Sequence, residues 1–261
     1  MRFFAALIAA IAILAAAQTV YADVSIDASA SDKGLVQIQY KGDLTKSVKV
    51  LVEANGDKNV YQIREEGSNN VPLQMGKGEY KITVLQNVAG NKYKPLATQS
   101  VTVDKVDQQS MFSSQSYLVT FNDAMKSISA YSKLLAEKKA TDDKITAVYN
   151  DLVKNYSYDF AKVKTLPTDY VPWIDDMYGT KMGICYDYAA LLAGVLRSQG
   201  IPTKLVMGYA PNVKEYHAWN EILMDDKWVV VDTTYDSQLD KAKVAYTFAK
   251  DGAKRKVVKV Y

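Results

Sequence analysis

The pattern of hydrophobic and polar positions divides the chain into three stretches. Phe3 to Ala17 is unbroken apolar sequence. From residue 23 to 104, apolar residues alternate with polar ones: Val24 and Ile26, then Val36, Ile38 and Tyr40, then Val48, Val50 and Val52. Tyr80, Ile82 and Val84 repeat the pattern, as do Val101 and Val103. A period of two predicts strands with one face buried and one wet. Asn55-Gly56 predicts a two-residue hairpin turn, because both residues tolerate positive φ. Gly76-Lys77-Gly78 and Ala89-Gly90-Asn91 punctuate the later strands. About six or seven short strands over 23–104 predict a β-sandwich, Ig-like in architecture.

Residues 105–116 are polar and aperiodic and read as a linker. From 117 to 261 the period becomes helical first. Met125, Ile128, Tyr131, Leu134 and Leu135 fit one helix, with Asn122 or Asp123 as its cap. Thr141 is the expected N-cap of a second helix. Asp142 and Asp143 suit its first turn, and Ile145, Val148, Tyr149 and Leu152 form its apolar face. Residues 157–182, with Pro167, Pro172 and Gly179, read as an irregular approach to a third helix starting at or just before Cys185. Tyr186 to Leu196 is apolar nearly all round, apart from Asp187 and Gly194, which predicts a buried central helix. Gly200 and Pro202 end it. Strands follow at 204–209, 216–224 and 227–233, the last two joined at Asp225-Asp226. The expected class is α+β, a β-sandwich followed by helices packed on an antiparallel sheet.

Composition adds a destination and several exclusions. Arg2 precedes the first apolar run and Val20-Tyr21-Ala22 follows it, so residues 1–22 read as a signal peptide. The run is shorter than the roughly 20 residues that span a bilayer. The expectation is a secreted or cell-surface protein with no integral membrane segment after signal removal. Without Arg2, 31 basic residues face 29 acidic ones, a balance that does not suggest a nucleic-acid partner. Residues 237–261 are more basic and read as a solvated face around an edge strand, where lysines discourage pairing. One cysteine excludes an internal disulfide, and one cysteine with one histidine excludes a zinc site built from those ligand types. No His-Glu-x-x-His motif or Gly-rich phosphate loop occurs, so neither a metal nor a cofactor is expected.

The only cysteine and the only histidine are Cys185 and His217. A thiol at a helix start faces unpaired N–H groups and the positive end of the dipole, which favour its anion. The same N–H groups can receive an oxyanion. Gly183 permits a tight turn and close approach of substrate backbone. A hairpin centred on Asp225-Asp226 sets Trp219 opposite Asp232 and His217 opposite Thr234. His217 and Asp232 are then diagonal neighbours on one face. Each residue alone fits a core or capping role. Together they point to a Cys-His-Asp acyl-transfer site.

Gly183-Ile184-Cys185-Tyr186-Asp187-Tyr188-Ala189, Gly200-Ile201-Pro202, Gly208-Tyr209, His217-Ala218-Trp219-Asn220-Glu221, Trp228 and Asp232-Thr233 closely resemble the core of the transglutaminase-like superfamily. The resemblance covers roughly 140–236 and implies a papain-like fold for the domain 117–261. It implies Cys185 as nucleophile, His217 as general base and acid, and Asp232 as orienting carboxylate. Tyr149, Tyr158 and Trp173 are candidates for a side-chain oxyanion donor. The implied partner is a peptide or protein substrate, resolved by water or by an amine, with hydrolysis favoured. The β-domain is read as a module for wall polymer, surface protein or substrate. The alternative is a transglutaminase-like module that binds without catalysing.

Overall fold

The computed structural model describes residues 23–105, 107–116, 118–167 and 170–261. The expected signal peptide, 1–22, lies outside them. Strands β1 (Asp23–Asp27), β2 (Leu35–Lys41), β3 (Val48–Ala54), β4 (Asp57–Ile63), β5 (Gly67–Pro72), β6 (Gly78–Ala89) and β7 (Lys92–Val103) form two antiparallel sheets, ordered β1-β2-β5 and β4-β3-β6-β7. The alternating residues are the reason the sheets close on each other. Val36, Ile38 and Tyr40 from one sheet meet Val48, Val50, Val52, Tyr80, Ile82 and Val84 from the other in one core. The β3–β4 hairpin turns at Asn55 and Gly56, with φ of 52° and 83°.

The stretch read as a linker holds a short helix, α1 (Gln108–Ser113). Asp107 Oδ1 caps it by accepting from the N–H groups of Gln109 and Ser110. Met111 and Phe112 are buried, and the Phe112 ring meets Trp228 edge-on at 5.6 Å. Six helical residues are too few to show a period, which is why the pattern missed the element.

Two further helices follow, α2 (Lys126–Leu135) and α3 (Thr141–Asn155). Neither is capped as its sequence suggested. Thr141 is already helical, and Ala140 before it makes no side-chain cap bond. The start of α2 is capped from a distance: Asp175 accepts from the N–H groups of Lys126 and Ser127 at 2.9 and 2.8 Å. Asp175 belongs to α4 (Ile174–Thr180), a helix in the region expected to be irregular. That region also holds β8 (Ser157–Tyr158), which pairs in parallel with β9 (Met182–Gly183).

The central helix α5 (Cys185–Ser198) begins at the cysteine and is buried along its length. It ends as expected at Gly200, whose φ of 72° is left-handed. Next come β10 (Thr203–Ala210), β11 (Val213–Met224), β12 (Lys227–Val231), α6 (Thr233–Lys241), β13 (Ala249–Lys250) and β14 (Lys256–Val260). The five strands form a sheet ordered β13-β12-β11-β10-β14, antiparallel throughout. Leu205, Ala218, Ile222 and Val231 pack with α5 in the main core. Val206, Trp219 and Val230 make a smaller cluster with Val260. Asn220 ties the layers together, its amide donating to the Ala189 carbonyl on α5 and the Lys204 carbonyl on β10. The strand expected to run through Thr233 stops at Val231, because Asp232 turns to cap α6. The architecture is α+β, with sheets at the N-terminus and helices packed on a sheet after them. Among the described residues, no helix is long and apolar enough to cross a membrane.

Asp175→Ala is expected to lower stability by about 1–2 kcal/mol, the cost of losing a helix cap. A urea denaturation midpoint unchanged from the parent chain would show that α2 does not need its distant cap.

Candidate active site

The β11–β12 hairpin turns at Asp225 and Asp226, with φ of 46° and 58°, and pairs Asn220 with Val231. Continuing that register brings His217 and Asp232 to adjoining positions, and they meet: His217 Nε2 lies 2.9 Å from Asp232 Oδ2. Cys185, the first residue of α5, lines the same cleft as His217 and stands near enough to act on its pKa. The structure therefore brings Cys185, His217 and Asp232 together. The thiol is partly exposed, whereas His217 and Asp232 are 5% and 1% exposed. The His217 ring stacks on that of Trp219 at an angle of 30°, centroids 6.3 Å apart.

Burial alone would lower the pKa of His217. The hydrogen bond to Asp232, the interaction with Cys185 and the charges of both overcome it and lift the pKa to about 9. Burial likewise opposes the Asp232 anion. His217, the Arg255 guanidinium and the N–H of Tyr235 outweigh it and hold the carboxyl below its ordinary range. Both oxygens are occupied: Oδ1 accepts from Tyr235 N at 3.0 Å and caps α6, and Oδ2 accepts from Arg255 Nη2 at 3.0 Å.

Arg255 was not singled out in the sequence. It lies in the basic stretch expected to be solvated, and nothing in its spacing separates it from its lysine neighbours. The edge strand expected there exists as β14, pairing with β10. The arginine just before it points inward, 6% exposed, with its guanidinium 4.9 Å from the centre of the Trp219 ring.

Gly183 serves a purpose other than the expected turn. A Cβ there would stand 2.7 Å from Asp187 Cβ and 3.1 Å from Met177 Sδ, so the glycine makes room for Asp187. Asp187 is buried. Its Oδ2 accepts from Ile184 N at 2.8 Å and from Lys162 Nζ at 2.8 Å, and its Oδ1 accepts from the Tyr170 hydroxyl. The carboxylate thus anchors the start of α5 and ties it to Lys162 and Tyr170.

Of the three oxyanion candidates, Tyr149 is buried with its hydroxyl on Asp236, and Trp173 lines a different pocket with residues of β4 and β5. Tyr158 lines the same cleft as Cys185. Pairing of Tyr158 with Gly183 places it beside the approach to the cysteine. Burial, and after it the charge of Cys185, push its hydroxyl up to about 12, so it remains a donor at neutral pH. The cleft is about 950 Å³, with walls that include Phe160, Val163, Leu166, Tyr186, Met207 and Tyr216. Among the described residues, no group of three His, Cys, Asp or Glu side chains could hold a metal ion.

A thiol at a helix start, in one cleft with a histidine that a buried carboxylate orients, is the arrangement of papain-like cysteine enzymes. Residues 129–233 match the family model of the transglutaminase-like superfamily, and this part of the chain is a transglutaminase-like core. The chain is 33% identical over 99 residues to a protein-glutamine gamma-glutamyltransferase of Pseudomonas aeruginosa, a match covering 32% of this chain and 15% of that protein. The periplasmic domain of TgpA from Pseudomonas aeruginosa is a structural neighbour at 15% identity and a TM-score of 0.39, covering 84% of this chain and 95% of that one. A TGase crystal structure is another, at 18% identity and a TM-score of 0.34, covering 42% and 30%.

The lone histidine makes the site directly observable, since one imidazole titration reports it. NMR is expected to place its midpoint near 9, and Asp232→Asn to move it down as burial takes over. The folded pKa lies above the ordinary 6.5. The stabilisation from charged His217 is therefore fully present below about 6.5 and is lost as pH rises through about 9. A midpoint near or below 6.5 in the parent chain would break the Cys–His–Asp arrangement as drawn.

Proposed function

We propose that this chain is an exported cysteine-dependent acyl-transfer enzyme, acting on peptide or protein amide bonds through a thioester on Cys185 and releasing the acyl group to water. The observation that carries the reading is His217, 2.9 Å from the Asp232 carboxylate and on the wall of the 950 Å³ cleft that Cys185 also lines. Cys185 Sγ attacks the carbonyl carbon, with its proton held by His217. The C–S bond forms as the carbonyl opens, and the oxyanion faces the N–H groups at the start of α5, with the Tyr158 hydroxyl beside them. His217 gives its proton to the leaving nitrogen as the C–N bond breaks. Water then attacks the thioester carbon and passes a proton to His217, and the C–S bond breaks to release a carboxylic acid and the thiol.

The partly exposed thiol supports hydrolysis, because water reaches the thioester carbon from the open cleft. The aromatic and aliphatic walls support a peptide with bulky apolar side chains near the reacting carbonyl. The transferase name of the Pseudomonas aeruginosa relative makes an amine the competing acceptor. The N-terminal sandwich serves as a docking module for a surface protein, wall polymer or the substrate itself.

Incubating the chain with a peptide library and a tagged primary amine tests the reading. Cleaved or deamidated peptides without tag are expected, and tagged peptides would replace water by amine as the acceptor. Cys185→Ala is expected to abolish both products, and retention of full activity in that variant would refute the mechanism.

A further inference from the structure

We infer that the C-terminal segment around Arg255, outside the matched core 129–233, completes the active site, with Arg255 as a positioning residue that aims Asp232 at His217. The inference rests on the acyl-transfer reading above and adds to it a residue that the family match does not reach.

Two independent features carry it. The first is the contact. Arg255 Nη2 and His217 Nε2 share one oxygen, Asp232 Oδ2, at 3.0 and 2.9 Å, while Tyr235 N holds the other oxygen. The guanidinium also lies over the Trp219 ring, which stacks on the His217 imidazole at 30°. Arg255 therefore spans both supports of the histidine, its carboxylate and its ring neighbour. A buried ion pair contributes little net stability on average. Here Nε and Nη1 of Arg255 are buried without hydrogen-bond partners. What the placement secures is the direction of Oδ2.

The second feature is Gly208. A Cβ at that position would stand 2.0 Å from the Lys256 carbonyl oxygen and 3.0 Å from the Trp219 ring. Its φ is not left-handed, so close approach rather than turn geometry requires the glycine. The β10–β14 ladder slips register between Met207 and Gly208, where the segment bearing Arg255 comes in. Gly208 faces His217 across β10–β11, so the same glycine admits the C-terminal backbone and lies beside the histidine. The groups facing Asp232 are His217 from β11, Arg255 from the C-terminal segment and the Tyr235 N–H from α6, with Asp236 and Tyr149 interacting at longer range.

The test is turnover of a cleaved peptide and iodoacetamide alkylation of Cys185 across pH in the full chain, comparing Arg255→Gln, Arg255→Lys and Gly208→Ala. A loosened Asp232 misplaces the histidine by a fraction of an ångström, so Arg255→Gln is expected to lose about 10- to 100-fold in kcat/KM, mostly in kcat. Its high-pH limb is expected to move down, because His217 loses the partner that keeps it charged. Gly208→Ala should displace the segment and shift the limb the same way. Arg255→Lys keeps the charge but cannot span Oδ2 and the indole together, so it should recover part of the loss. If Arg255→Gln fails to fold, the lysine variant carries the test. A parent-like rate and limb in a folded variant overturns the inference, as does a limb that moves up, which would mean the arginine acts only by its charge. His217→Gln separates the two claims. If it leaves alkylation unchanged, the acyl-transfer reading fails and this inference with it. If it removes the pH dependence while Arg255→Gln does nothing, only the inference fails.

Discussion

A carboxylate with no access to water stays charged only if its oxygens are answered. Asp232 is such a group, and its partners come from three parts of the chain. His217 lies toward the middle of β11, Tyr235 opens α6, and Arg255 precedes β14. Holding one anion in the interior therefore requires that a strand, a helix start and the C-terminal segment arrive at one point. That convergence, rather than any single element, places the imidazole between carboxylate and thiol.

A second buried carboxylate does the same for the other half of the site. Asp187 holds Ile184 N at the entry to α5, and it fastens Lys162 and the Tyr170 hydroxyl. Gly183 exists to let it in. One anion orients the histidine, and the other fixes the helix start that carries the cysteine and draws the cleft wall toward it. Both depend on small residues that let charged groups or backbone approach closely, Gly183 for Asp187 and Gly208 for the segment bearing Arg255.

Much of the frame was legible from periodicity. Five of the seven N-terminal strands follow from alternation, β4 and β5 showing no such run, and the buried helix after Cys185 follows from its apolar surface. The hairpin register that joins His217 to Asp232 follows from two turn-forming aspartates. The misses share a physical cause. Helices α1 and α4 are too short to show a period, and the cap of α2 comes from Asp175, nearly fifty positions away in sequence. Thr141 looked like a cap because caps are normally local, whereas the helix begins at Thr141 itself.

The sequence by itself determined which residues could do chemistry. One thiol, one imidazole and a carboxylate at a strand end stand in an order whose local geometry can be computed, because strand and helix periods are short-range properties of the backbone. Only the tertiary structure decided what surrounds them. It put Tyr158, alone of three candidate donors, on the cleft with Cys185, made the glycine expected at a tight turn, Gly183, a space for Asp187, and drew Arg255 out of a lysine-rich stretch into the interior. These outcomes depend on contacts between residues far apart in the chain, where close packing and the need to pair a buried charge choose the partner, and no local pattern records that choice.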